Sequence, residues 1–155
     1  MRFIGSKTLL LNSIEQFMFE NKAIGNSFCD LFSGTSTVGR YFKKDYEIIS
    51  NDLLHFSYSL QKASIENNVH QIFRSLTQKI GIDPFTFLNN IDIENISFDR
   101  TPFIYENYSP NPKSTRKYFK PNNALRIDFI RQSIEKWKSE KLLNDSEYYY
   151  ILAAL

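Results

Sequence analysis

Three short stretches hold residue types and spacings on which chemistry could be built. The first, Phe28-Cys29-Asp30-Leu31-Phe32-Ser33-Gly34-Thr35-Ser36-Thr37-Val38-Gly39, reads as an apolar strand, a turn and a helix. Gly34 permits a tight turn and lets a ligand approach the backbone. The helix start beyond it offers unpaired N–H groups and partial positive charge. Gly34 and Gly39 hold the outer places of a G-x-G-x-x-G pattern, but Ser36 takes the middle one. That argues against a pyrophosphate ligand, which needs the closest backbone approach. An ordinary strand-to-helix turn is the alternative. The second stretch, Asn51-Asp52, ends the next strand, and Asp52 follows Asp30 by 22 residues. An acidic residue at such a spacing can accept from ribose hydroxyls. It could equally cap a helix starting near Leu53. The third, Arg2-Phe3-Ile4-Gly5-Ser6-Lys7-Thr8, superficially suggests a phosphate loop. Ser6 separates Gly5 from Lys7 and no strand precedes them, so the plainer reading is a helix N-cap at Ser6 with a solvated Lys7.

These residues need elements to hold them. Leu10, Ile14, Phe17 and Met18 share one face of a helix over residues 7–21. Residues 27–32 read as a buried strand, Thr37 to Lys43 as a helix, Tyr46 to Ser50 as a second strand and Leu53 to Asn67 as a second helix. Together they make a βαβ unit. All five prolines fall within residues 83–121, which read as irregular chain with short elements. Helix returns after Asn122-Asn123, with Ile127, Ile130, Ile134 and Trp137 on one face. A last helix starts near Asp145 or Ser146, and Tyr148, Ile151, Leu152 and Leu155 form its stripe. That stripe carries no stop signal, so the chain is expected to be an N-terminal fragment. The organisation expected is residues 1–82 as an α/β portion and residues 83–155 as an irregular, then helical insertion.

The net charge of +2 conceals a gradient. Residues 111–141 hold nine basic and three acidic side chains. Concentrated positive charge of this kind suits a phosphate-contacting surface, although a solvated basic helix face is the bland alternative. Hydrophobic residues make up 42% of the chain, which excludes wholesale disorder. The one cysteine, Cys29, excludes an internal disulfide and a cysteine-based zinc cluster, and its place in an apolar strand predicts a buried structural role. His55 and His70 lack partners at metal-ligand spacing. No signal peptide or membrane-length apolar run is visible, so the expected compartment is the cytoplasm.

Taken together, Phe3-Ile-Gly-Ser-Lys7, Asp30-Leu-Phe-Ser-Gly-Thr-Ser-Thr-Val-Gly39 and Asn51-Asp52 resemble the N-terminal motifs of the D12 class of adenine-N6 DNA methyltransferases, the Dam-like group. Asn107-Tyr108-Ser109, Tyr118-Phe119, Asn123 to Arg131 and Ile134-Glu135-Lys136-Trp137 also resemble a segment of such modification enzymes. The resemblance implies a Rossmann-like S-adenosylmethionine-dependent methyltransferase fold, incomplete here, with the start of a mostly helical recognition insertion. It implies that Phe3 and Lys7 line the cofactor pocket. Asp30 and Gly34 would surround the methionine part, and Asp52 would accept from the ribose. Residues 111–141 would face double-stranded DNA, with Arg116, Lys117 and Lys120 on its phosphates.

One motif of that family is missing. Adenine-N6 transfer there uses a D-P-P-Y motif on a flipped base, and this sequence has no Pro-Pro pair. Asp83-Pro84-Phe85 is the nearest approximation and reads better as a helix start. No catalytic residue and no metal ligand is therefore expected in these residues. The D-P-P-Y motif would lie beyond Leu155, on the same protein or on a complementary C-terminal chain. An exposed sheet edge and an unburied last-helix stripe are expected to follow. The alternative reading is a non-catalytic DNA-binding or regulatory module on a methyltransferase scaffold. A methyltransferase acting on RNA or a small molecule fits the basic segment less well.

Overall fold

The computed structural model of the chain describes residues 5–155. They fall into two compact units, one up to His70 and one spanning Gln71–Leu155. The first is mixed α/β. A 3-10 turn (Thr8–Leu10) leads into α1 (Leu11–Glu20), followed by β1 (Ser27–Asp30), α2 (Thr37–Phe42), β2 (Glu47–Ser50) and α3 (His55–Gln61). The strands pair in parallel, Ser27 against Glu47 through Asp30 against Ser50. Parallel neighbours require a crossover, and α2 supplies it.

Side chains alternate across a strand, so this small sheet has two unlike faces. Phe28, Asp30, Ile48 and Ser50 are half-buried, and the Phe28 ring stacks on Phe42 at 4.7 Å. A Cβ on Gly39 would lie 3.0 Å from Ile65 Cδ1 and 3.2 Å from Ile48 Cγ2, so the missing side chain lets α2 sit close to β2. The other face is open. Ile49 is 53% exposed, and Cys29 is exposed as well. The expectation of a buried strand with a buried Cys29 is thus overturned, because nothing among the described residues covers that side of the sheet. Ser6 is not the N-cap expected either. Its hydroxyl bonds the Thr8 hydroxyl at 2.8 Å, and Lys7 stands at the start of the 3-10 turn without a side-chain cap bond.

The helix expected over residues 53–67 is two pieces. After Gln61 the chain widens into a π-helical turn, Lys62–Glu66. Lys43 Nζ donates to the carbonyls of Ser64 (2.9 Å) and Asn67 (2.7 Å), satisfying acceptors at its end.

The second unit is helical. Its elements are α4 (Arg74–Ile80), α5 (Pro84–Asn89), a 3-10 turn (Ile93–Asn95), α6 (Phe103–Tyr108), α7 (Pro121–Ser139) and α8 (Asp145–Ala153). Asn144 and Glu147 cap α8 reciprocally. The core consists of Phe73, Leu76, Leu88, Ile134, Trp137, Leu143 and Ile151. Tyr148 and Leu152 pack against it, so the α8 stripe expected to be unburied is largely covered. Among its four members Leu155 alone is exposed.

Helix α7 also holds irregular chain by polar bonds. The buried Asp128 carboxylate accepts from Ile104 N–H (2.9 Å) and Tyr105 N–H (2.8 Å), at the start of α6. Gln132 pairs with Arg100 through its N–H (3.0 Å) and carbonyl (2.9 Å). Arg126 donates to the carbonyls of Asn89 and Ile91. These acceptors and donors settle main-chain groups that lie outside any regular ladder.

Candidate functional site

The sites of Lys7, Asp30, Gly34 and Asp52 converge on one cleft of the first unit, about 820 Å³ in volume. Leu10 of the 3-10 turn, Ile14 of α1, Phe28 of β1 and Phe56 of α3 supply its apolar walls. Phe3 lies outside the described residues. Gly34 N–H donates to Asp52 Oδ2 at 2.8 Å, so the turn after β1 is tied to the end of β2. The other oxygen, Oδ1, accepts from Leu54 N–H at 3.0 Å. The carboxylate is therefore a junction between two loops rather than a cap on α3, which carries no side-chain cap bond at its start.

Around this junction a second set of polar groups fixes the turn. Ser33 donates through both N–H and Oγ to Asn51 O (3.0 Å each) and accepts from Gln61 Nε2 at 2.6 Å. Asn51 Nδ2 returns a bond to Leu31 O at 2.9 Å. Asn51 stands beside Asp52 in the sequence, but Gln61 gave no sign of reaching Ser33. Such a pairing between helix and turn depends on tertiary approach.

The two carboxylates have opposite electrostatics. The bonds from Leu54 N–H and Gly34 N–H hold Asp52 below the usual carboxylate range. Asp30 is pushed up, chiefly by burial; a bond from Phe32 N–H opposes this and the Asp52 charge adds to it. Asp30 Oδ2 is buried with no hydrogen-bond partner among the described residues. An acceptor left in that state favours a cationic or N–H-bearing group placed beside it.

Ser36, in the middle position of the glycine pattern, pays for that place. Its backbone is left-handed (φ 59°), and its buried Oγ has no hydrogen-bond partner among the described residues. A non-glycine residue in this region costs roughly 1–2 kcal/mol, more than glycine's extra unfolded-state entropy of roughly 0.4–1 kcal/mol. Ser36→Gly is therefore expected to stabilise the first unit. Urea unfolding followed by far-ultraviolet circular dichroism checks this, and a lowered midpoint contradicts it.

Arg116, Lys117 and Lys120 lie between α6 and α7, not on a helix face, and all three are exposed. Among the described residues none of them forms an ion pair, whereas Lys113 pairs with Glu106, Lys136 with Asp99 and Lys138 with Asp145. Three lysines of the basic segment are thus paired with carboxylates that lie outside it, while Arg116, Lys117 and Lys120 share one loop without an ion pair. Asp83 is occupied locally, capping α5 through Thr86 N–H at 2.9 Å. No group of three or more possible metal-ligating side chains occurs among the described residues. No helix among them is long and apolar enough to cross a membrane.

Comparison with known proteins gives the following. The family model of D12 class N6 adenine-specific DNA methyltransferases matches residues 3–109. Type II methyltransferase M.FokI of Planomicrobium okeanokoites is 49% identical over 157 residues, covering 100% of this chain and 24% of that protein. Modification methylase StsI of Streptococcus sanguinis is 43% identical, with 100% and 23% covered. Type II methyltransferase M.NlaIII of Neisseria lactamica is 34% identical, with 100% and 44% covered. The chain spans about a quarter of the length of the first two relatives. No solved structure gives a significant match.

Proposed function

The chain belongs to the D12 class of N6 adenine-specific DNA methyltransferases, and from that premise we propose that it is the cofactor-binding part of a modification methylase. The protein carrying it transfers a methyl group from S-adenosylmethionine to adenine N6 in duplex DNA, within a restriction–modification system. In this reading the complete sheet is Rossmann-like, and β1 and β2 are its first two strands. Further strands then extend this sheet, and their crossover helices cover the open face bearing Cys29 and Ile49 and the exposed Phe32 and Leu53, on the same protein or on a complementary chain that also carries D-P-P-Y.

The reading is carried by one observation: Gly34 N–H on the Asp52 carboxylate, at the edge of a cleft that Asp30 also lines. The cleft has the volume of a small-molecule site. The unpartnered Asp30 oxygen suits a cationic cofactor, and S-adenosylmethionine bears an ammonium and a sulfonium. Asp52 would hold the ribose hydroxyls, Asp30 and Gly34 the methionine part, and Lys7 and Phe3 the pocket wall. When bound, the cofactor supplies an electrophilic methyl group; these residues orient it and balance its charge. Arg116, Lys117 and Lys120 would contact DNA phosphates.

Two measurements test this. Isothermal titration of S-adenosylmethionine into the 155-residue chain is expected to show binding that weakens in acid, as Asp30 takes up a proton and loses its charge. Incubation of the chain with duplex DNA and labelled cofactor is expected to give no transfer, while the protein carrying D-P-P-Y methylates adenine N6. Absence of cofactor binding by both forms overturns the reading and favours the non-catalytic module. Turnover by the chain alone overturns the division of labour.

A further inference from the structure

Resting on the DNA reading above, we propose that Tyr118 is a base-contacting residue that stacks on an unpaired nucleobase while Arg116, Lys117 and Lys120 hold the adjoining phosphates. The Tyr118 ring is 74% exposed. A lone exposed aromatic is commonplace, but this one is held in place. Tyr118 N–H and Phe119 N–H both donate to Tyr108 O, at 3.1 Å each. The Tyr118 ring meets Tyr108 edge to face at 5.9 Å. The Arg116 guanidinium lies 5.8 Å from the Tyr108 ring centroid and donates to Asn107 O.

The loop carrying these groups is braced from within. Asn111 Nδ2 donates to Tyr105 O (2.7 Å) and Ser109 O (3.0 Å), and its Oδ1 accepts from Lys113 N–H (2.8 Å). Asn111 and Ser114 exchange backbone bonds at 2.9 and 3.1 Å. An aromatic ring fixed before binding loses little conformational freedom on contact. Its three cationic neighbours form no ion pair among the described residues, so the local charge is uncompensated. A flat apolar face amid positive charge is complementary to a polyanion that carries flat rings. Paired bases present only their edges in the grooves, so face-on contact needs a base taken out of the stack.

The test uses fluorescence anisotropy on the chain and on the protein carrying D-P-P-Y. The probes are a single-stranded oligonucleotide and the same backbone made fully abasic. Tyr118→Ala is expected to weaken binding to the base-bearing strand roughly tenfold or more, with the salt slope unchanged. Tyr118→Phe and Tyr118→Trp keep the affinity, and none of the three changes binding to the abasic strand. Replacing Arg116, Lys117 and Lys120 together by alanine is expected to weaken both probes and lower the salt slope. Equal binding of wild type and Tyr118→Ala to the base-bearing strand overturns the stacking role while leaving DNA binding intact. So does an equal loss on both probes. Failure of the wild-type forms to bind either strand or duplex DNA overturns the DNA reading as well, and capture of an acidic protein by the same loop would take its place.

Discussion

Asp52→Ala is expected to lower S-adenosylmethionine affinity about 100-fold or more. A carboxylate offers four acceptor positions. Gly34 N–H and Leu54 N–H take two of them, and the proposed function gives the ribose hydroxyls acceptor positions on the same carboxylate. Losing two bonds to a charged acceptor, together with the turn they hold, corresponds to roughly two decades of affinity or more. The variant releases the turn at Gly34, which the ligand must find in place. Asp52→Asn keeps one acceptor oxygen and is expected to fall between wild type and alanine. Because the backbone bonds lower the Asp52 pKa, its ionised form contributes stability that is present above the ordinary carboxylate pKa and lost only as pH falls through the lowered value. Near neutrality its contribution is therefore flat with pH, so acid weakening of binding is assigned to Asp30, whose pKa is raised. Titration calorimetry of wild type and both variants decides the matter; alanine binding as tightly as aspartate would remove Asp52 from the site.

The second large effect is on the helical unit. Phe73 is 1% exposed and packs against Phe85 at 5.7 Å and Tyr150 at 6.2 Å. Phe73→Ala is expected to cost about 3–5 kcal/mol. For a unit of this size that lowers the unfolding midpoint by roughly 12 °C or more. Phe73 also holds a left-handed backbone, φ 54°. Alanine keeps that strain and glycine does not, so Phe73→Gly should be the milder change by about 1 kcal/mol. Trp137, the single tryptophan, lies in the same core and reports its melting by emission. A midpoint shift of only a degree or two would show that the ring does not anchor this core, and glycine proving worse than alanine would show that the backbone at residue 73 is not strained.

Local patterning made part of this molecule legible from sequence. The βαβ start, the turn at Gly34 and the carboxylate at the end of β2 follow from apolar runs broken by Gly and Asn-Asp. The helix after Asp145 followed from its stripe, and its capping box agrees. Other features depend on distant neighbours. Cys29 looked buried because its strand is apolar, yet burial needs a layer on each face and the described residues provide one. The π-helical turn after Gln61 accepts two bonds from Lys43, which reaches Ser64 and Asn67 across a gap in sequence. Helix α4 went unmarked despite Gly81 (φ 78°) at its end, because its seven residues are too short for a strong period. In the candidate site, Gly34 and Asp52 stood out by type and spacing, whereas Lys7 and Asp30 were marked only by the family resemblance. The Ser33–Asn51–Gln61 bonds and the apolar walls from α1 and α3 were not readable, since they exist only after packing.

The bonds that α7 makes through Asp128, Gln132 and Arg126 all end on main-chain atoms of residues 89–105. A clamp that grips peptide groups is indifferent to the side chains it holds. Side chains of that stretch that make no contact of their own can therefore change while its path stays fixed, unlike Ile91, which packs on the helical core, and Asp99, which pairs with Lys136. Diversification of this surface therefore need not disturb the scaffold beneath it.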